Sequence, residues 1–403
     1  MSLQKCIRSY SDLAIGGAPP AFAEPVHVGR PNIANRGEFL RRTAEALDRV
    51  WLTNNGPLVR ELEEKIASYL GVKHCVAMCN GTVALEIAIR ALGLEGEVIV
   101  PSYSFVATAH ALHWQGIKPV FADIDPATHN LDPAAVRRMI TSRTTGLIGV
   151  HLWGRAAPVE ELQRIADEHG LALMFDAAHA FGCSHGGRLI GGFGRAEVFS
   201  FHATKFFNTF EGGAVTTNDD EVAGKARLMR NFGFSGYDNV VHIGTNGKLA
   251  EVCAAMGLAN LDALQYLVAA NRAVHSDYRN SLGDLDFATL LEFDEREQNN
   301  FQYCVIEISA QCRASRDEIV KALHAENILA RKYFWPGCHR MKPYRDLFPD
   351  AGLVLANTKD VAERVIVLPT GPSLPDGTVA TISSTLRVMM DQAERHEIEE
   401  LHE

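Results

Sequence analysis

Cys75-Val76-Ala77-Met78-Cys79-Asn80-Gly81-Thr82-Val83-Ala84-Leu85-Glu86-Ile87-Ala88-Ile89-Arg90-Ala91-Leu92 is an apolar run that turns at Asn-Gly and continues apolar, with Glu86 and Arg90 its only charges. Residues 75–78 have the length and unbroken apolarity of a strand covered on both faces, and 83–92 read as a buried helix. Six further strand-like runs lie at 98–100, 119–122, 147–152, 172–175, 198–201 and 214–216. Helix-length segments separate most of the first five. This alternation predicts an α/β fold whose sheet is mostly parallel, seven-stranded and flanked by helices.

Upstream, residues 1–37 are rich in Pro, Gly and Asn and read as an irregular arm. A helix is expected over 38–50, a turn at Asn54-Asn55-Gly56-Pro57, and a second helix over 61–70 closed by Gly71. After Lys248 the period changes, and 249–280 read as one long helix or two in series. Strand-like runs at 303–308 and 365–368, a helix over 316–326 and a final helix from Thr378 suggest a smaller α+β unit. We therefore expect a large domain over residues 1–265, arm included, and a small C-terminal domain over 266–403.

Composition narrows the function classes. The 403 residues carry 39 basic and 49 acidic side chains, a net charge of −10 without a long single-sign block. Phosphate backbones are bound by clustered Lys and Arg, so a nucleic-acid partner is not expected. With 47 % hydrophobic and 22 % charged residues the chain has the make-up of a folded globular protein. No apolar stretch reaches the ~18 residues of a membrane helix, so no membrane partner is expected. The eight cysteines form no CxxC pair and no zinc-ligand spacing, which fits a reduced, cytoplasmic setting and no metal site. Lys5 and Arg8 before Ala21-Phe22-Ala23 imitate a secretion signal, but Asp12, Gly16-Gly17 and Pro19-Pro20 interrupt its apolar core.

Three features carry chemistry. The turn Asn80-Gly81-Thr82 opens a helix whose free N–H groups and dipole suit a phosphate, though it also reads as an ordinary strand-to-helix turn. Asp176 stands at the end of a buried strand, where α/β sheets place ligands, though it could simply cap the next helix; His179 lies about one turn on. Lys205 sits in a loop with Phe201, Phe206, Phe207 and Phe210. Desolvation there would lower its pKa, as a nucleophilic lysine requires, or its stem could merely pack on the aromatics. A phosphate-type helix start, an Asp at a strand end and a lysine 29 positions later match the order of pyridoxal phosphate (PLP) enzymes.

Nearly the whole chain resembles the DegT-like sugar-nucleotide aminotransferases of PLP fold type I. The resemblance rests on Asn80-Gly81-Thr82, Pro101-Ser102-Tyr103-Ser104-Phe105-Val106-Ala107-Thr108, Asp123-Ile124-Asp125, Asp176-Ala177-Ala178-His179-Ala180, Ser200-Phe201-His202-Ala203-Thr204-Lys205, Glu211-Gly212-Gly213 and Gly244-Thr245-Asn246-Gly247-Lys248. It implies that Lys205 carries PLP, that Asp176 bonds the pyridine nitrogen, and that Gly81, Thr82 and Ser200 hold the phosphate. It further implies that Tyr103 or Phe105 stacks on the ring and that His179 sits near the ring's 3-oxygen. Asn246 would reach the phosphate of the partner subunit in a homodimer with shared sites. Many relatives have Gln at the position of His179 and a small residue at that of Phe210. These variants, with Tyr333-Phe334-Trp335-Pro336-Gly337-Cys338-His339, resemble the branch that aminates dTDP-4-keto-6-deoxyglucose at C4 with L-glutamate as donor, releasing 2-oxoglutarate. Amination at C3 is the alternative.

Other classes fare less well. A desulfurase needs a reactive thiol, for which Cys338 beside His339 is the candidate. A binding protein that kept the fold has no need of both Lys205 and Asp176. For the substrate diphosphate the candidate cations are Arg30, Arg230, Lys248 and Arg331, with His339 as a further substrate residue.

Overall fold

A computed structural model describes residues 5–400, with side chains through 391. Seven strands, β1 (His74–Met78), β2 (Glu97–Pro101), β3 (Lys118–Ala122), β4 (Thr144–Val150), β5 (Ala172–Asp176), β6 (Ala196–Ser200) and β7 (Gly213–Thr217), form one sheet in the order β1-β7-β6-β5-β4-β2-β3. Only β7 runs antiparallel to its neighbours. All the others point the same way, so Met78, Val150, Asp176 and Ser200 end at one edge. Their chains are apolar throughout because helices cover both faces. The seven runs expected from sequence are these seven strands. The expected extension of 147–152 stops at Val150, where the chain turns through a short 3-10 segment, Leu152–Gly154.

One helix starts earlier than expected, and one open alternative is decided. Pro57–Leu70 begins a turn earlier than residue 61, because its N-terminal N–H groups are capped from afar. Glu251, fully buried, accepts from Leu58 N and Val59 N, both at 2.9 Å. A Cβ on Gly56 would stand 2.5 Å from that carboxyl carbon, so a side chain there would push the carboxylate off the two N–H groups. The segment after Lys248 is two helices, Glu251–Leu261 and Leu264–Leu282, bent by 65°. No single helix among the described residues is long and apolar enough to cross a membrane.

A second sheet, β8 (Ala288–Leu290), β9 (Cys304–Ile308) and β10 (Val365–Leu368), is antiparallel in that order. Its core, with Tyr278, Ile306, Leu323 and Ile382, also contains Ile7 and Leu13. The arm, expected with the large domain, therefore begins on the C-terminal sheet. Its residues Val26–His27 pair in parallel with Ile328–Leu329.

Candidate active site

At the edge where β1, β5 and β6 end, a cavity of about 380 Å³ opens. Gly81, Thr82, Asp176, His179, Ser200, Lys205 and Phe105 all line it. The fold brings these together because β1 and β6 flank β7, so the helix Gly81–Ala91 starts beside the end of β6. The fit is tight: a Cβ on Gly81 would lie 2.9 Å from Ser200 Cβ, and one on Gly213 would lie 2.7 Å from Gly81 N. Asn80 caps the helix, its Oδ1 accepting from Val83 N at 2.8 Å.

Asp176 is buried. Its Oδ2 accepts from Thr108 Oγ1 at 2.7 Å and its Oδ1 from Ala178 N at 3.0 Å. Burial pushes its pKa upward against the pull of those hydrogen bonds and of the Lys205 charge. Lys205 is half-buried, with Nζ 3.3 Å from the Tyr303 hydroxyl. Desolvation lowers its pKa to about 8, against an opposing pull from Asp176.

The cause of that desolvation differs from the one read in the sequence. Phe201, Phe206 and Phe207 are buried in the core below the sheet edge, where Phe201 and Phe207 pack on Phe181. Phe210 meets Phe39 with ring centres 5.5 Å apart. None of the four lines the cavity. The apolar wall is instead Tyr303, Tyr333 and Phe334, contributed from far along the chain. Phe210 also has φ +66, a conformation that costs a side chain roughly 1–2 kcal/mol. Glycine alone would relieve that cost.

His179 is buried among Trp153, Tyr303 and Phe334, the Tyr303 ring centre 4.4 Å away. Burial and the nearby Lys205 charge hold its pKa well below the ordinary value. Its Nδ1 accepts from Trp153 N at 3.3 Å, which leaves Nε2 as the hydrogen-bearing nitrogen. Trp153 holds this position at φ +62.

Other candidates fall elsewhere. Tyr103 is fully buried behind the wall, its hydroxyl donating to Tyr333 O at 2.6 Å, so Phe105 is the aromatic neighbour of the cavity. Arg230 is buried, paired with Glu63 and donating to Ala77 O at 2.8 Å. Lys248 Nζ donates to Asn231 Oδ1 at 2.9 Å and lies over Phe232. Arg30 donates to Pro25 O at 2.9 Å. These three cations line neither the cavity nor the cleft beside it. His339 is buried with Nδ1 2.7 Å from Ser102 Oγ, and burial takes its pKa down to about 4. It braces the end of β2, away from the cavity. Cys338 is buried beside it, its thiol pushed up to about 12, unlike a reactive cysteine. Asn246 is exposed on this chain and outside its own cavity. Arg331 is exposed and lines the cleft that adjoins the cavity.

Thr108, Trp153, Tyr303, Tyr333 and Phe334 shape the site without having been singled out for it from sequence. Thr108, Tyr333 and Phe334 lie in motifs that carry the resemblance, which gave none of them a role.

Residues 34–387 match the DegT/DnrJ/EryC1/StrS aminotransferase family. The chain belongs to this family. It is 37 % identical over 368 residues to the dTDP-4-amino-4,6-dideoxy-D-glucose transaminase of Shigella dysenteriae, covering 90 % of this chain and 99 % of that one. To the GDP-perosamine synthase of Caulobacter vibrioides it is 35 % identical over 76 % of this chain and 84 % of the other. Among solved structures, DesI with its TDP-sugar product superposes with a TM-score of 0.90 at 46 % identity, covering 96 % of this chain and all of that one. The aminotransferase is thus similar across nearly its full length to enzymes of sugar amination. Its fold, a PLP type I α/β architecture, is theirs.

Proposed function

We propose that this aminotransferase moves the amino group of L-glutamate to C4 of dTDP-4-keto-6-deoxyglucose, with pyridoxal phosphate as cofactor, as a cytoplasmic homodimer with shared sites. The single observation that carries the reading is Lys205 and Asp176 facing one cavity below a helix start. The name of the Shigella relative and the TDP-sugar product held by DesI support the sugar and the nucleotide.

The residues fit the cofactor. Gly81, Thr82 and Ser200 would hold its phosphate against the helix N-terminus, where the glycine at 81 lets Ser200 approach. Asp176, fixed by Thr108 and Ala178, would hold the ring-nitrogen proton. Phe105 would stack on the ring, and His179 Nε2–H would donate to the ring oxygen. When bound, pyridoxal phosphate supplies an aldehyde that exchanges amino groups and a ring that accepts electrons.

The protein's own part is proton handling. With a pKa of about 8, roughly a tenth of the Lys205 amine is unprotonated at neutral pH, far more than for an ordinary lysine. Lys205 could therefore take a proton from the donor's α-carbon and deliver it to the carbon on the other side of the amino nitrogen. Tyr303, Tyr333 and Phe334 would give that transfer an apolar wall. In the second half-reaction the keto sugar enters the same cavity and the same proton path runs in reverse.

The dimer reading is supported by Phe232, Tyr237, Val240 and Ile243, apolar and exposed on the segment that leads to Asn246. Asn246 would serve the partner's phosphate.

A panel of dTDP- and GDP-linked keto sugars, offered with glutamate, tests the reading. We expect amine formation at C4 of dTDP-4-keto-6-deoxyglucose with 2-oxoglutarate released. Preference for a 3-keto sugar would move the assignment to C3, and no product from any nucleotide sugar would overturn it.

A further inference from the structure

The ring of His179 is oriented by the backbone N–H of Trp153, which donates to its Nδ1. Trp153 itself holds φ +62, a conformation that a bulky side chain keeps only where its surroundings enforce it. The enforcement comes from the turn between β3 and the helix Pro133–Met139. Asp125 Oδ1 accepts from Ala127 N at 3.0 Å and Thr128 N at 2.8 Å, and Asp125 O accepts from His129 N at 2.8 Å. From this turn two adjacent side chains grip the segment around Trp153. Asn130 Oδ1 accepts from Leu152 N at 3.1 Å while its Nδ2 donates to Ala156 O at 2.9 Å. His129 Nδ1 accepts from the Trp153 indole N–H at 3.1 Å.

His129 is in turn set from the C-terminal sheet. An indole N–H can only donate, so His129 Nδ1 is an acceptor and the ring hydrogen stands on Nε2. That nitrogen lies 2.7 Å from Glu307 Oε1 on β9. The other oxygen of Glu307 accepts from Arg364 Nη1 at 2.8 Å, which fixes the acid from its far side. His129 is buried, with the Tyr103 ring edge-on to it at 5.7 Å. One hydrogen-bonded line, Arg364–Glu307–His129–Trp153–His179, therefore starts on the C-terminal sheet and ends at His179 Nδ1. At that end the rings of Trp153 and His179 also stack, their planes 22° apart.

We infer that His129 is a positioning residue for the reaction: held by Glu307, it tethers the Trp153 indole so that the Trp153 N–H keeps His179 Nδ1 as an acceptor and leaves Nε2–H for the cofactor. The inference rests on the pyridoxal phosphate reading above. It gives a role to a residue that does not line the cavity, and it makes the C-terminal sheet a source of alignment for a side chain at the edge of the large one.

The test is a double-mutant cycle between His129 and His179, read by calorimetric binding of pyridoxamine phosphate to the cofactor-free enzyme and by the single-turnover rate of the loaded enzyme with L-glutamate. His129 has φ +61, so His129→Gly removes the ring without backbone strain, and His129→Asn tolerates the same conformation while returning an acceptor to the indole. Trp153→Phe cuts the tether from its other side and keeps the backbone N–H, which serves the cycle should the glycine variant fail to fold. We expect His129→Gly and Trp153→Phe each to weaken pyridoxamine phosphate and slow the turnover by about tenfold, and His129→Asn to recover most of both. On a His179→Phe background the same changes should alter either readout by less than about twofold, because the group they act on is gone. Native binding and rate in His129→Gly, equal losses on both backgrounds, or no recovery with asparagine would show that His129 only packs there, and the functional reading would stand without it. A wild type that binds neither pyridoxal phosphate nor pyridoxamine phosphate would overturn both.

Discussion

Asp176 and Glu197 are buried carboxylates on adjacent strands, one register step apart, since Phe175 pairs with Glu197 and Asp176 with Val198. Side chains alternate along a strand, so the two acids face opposite sides of the sheet. Glu197 accepts from His151 Nε2 at 2.7 Å, Gly191 N at 2.5 Å and Phe193 N at 2.8 Å. His151 is fixed in turn, with Nδ1 accepting from Ala157 N at 2.9 Å and its ring stacked on Phe175. Asp176 receives two donors and turns its remaining capacity toward a cavity that also holds a lysine. Burial alone therefore does not mark a working carboxylate. The mark is acceptor capacity that the protein leaves open on the side of a cavity.

The sharpest way to break this contrast is to remove the lysine. Lys205→Ala should cut turnover by more than about 10³-fold, since both the cofactor link and the proton path are lost, while the protein stays folded by circular dichroism. A variant that transaminates at near-native rate would remove Lys205 from the chemistry. The wild-type apoenzyme should also capture the cofactor aldehyde faster as pH rises through about 8, because only the unprotonated amine attacks. A rate still climbing toward pH ~10 would describe an ordinary lysine.

Next come the two acids themselves. Asp176→Asn should lower kcat by about 10²–10³-fold, the usual loss for one preorganised charge aimed at the reacting group, with fold intact. Glu197→Gln should do the reverse. An amide placed among three N–H donors leaves buried groups unpaired, at roughly 1–3 kcal/mol of stability. Urea denaturation should show that loss while kcat of the folded fraction changes less than threefold. If the two variants exchange these signatures, the contrast between the faces is wrong.

The sheet and the chain-local part of the site were legible because each rests on contiguous residues: seven apolar runs, an Asn-Gly helix start, an Asp at a strand end, a lysine after Ser200. Contributions from distant parts of the chain were not. Thr108 reaches Asp176 across 68 positions, and Tyr303 and Phe334 meet His179 from another sheet and another loop. Nothing in their local pattern separates them from core aromatics. Tyr103 and Phe105 lie just past a strand end, where the alternation that would have chosen between them breaks down. Phenylalanines around Lys205 in sequence turned into core because the loop after it folds back under the sheet edge. The arm's irregular composition hid Glu326, the residue that orders it, more than three hundred positions away.

The smallest expected effect tests the support beneath Asp176. Thr108 Oγ1 is one of its two donors, and that hydrogen bond is the strongest pull holding the Asp176 pKa down against burial. Thr108→Val keeps the shape and removes the donor, so about 1 kcal/mol of support is lost, and turnover should fall a few-fold. The pH effect has a definite sign. Without the donor the carboxyl pKa rises, protonation sets in at higher pH, and the acid limb of the rate profile should move upward. Thr108→Ser restores the donor and should return both rate and limb toward wild type. A lost rate without movement of the limb, not rescued by serine, would mean that Thr108 only packs there. Asp176 would then owe its state to burial, the Ala178 N–H and the Lys205 charge.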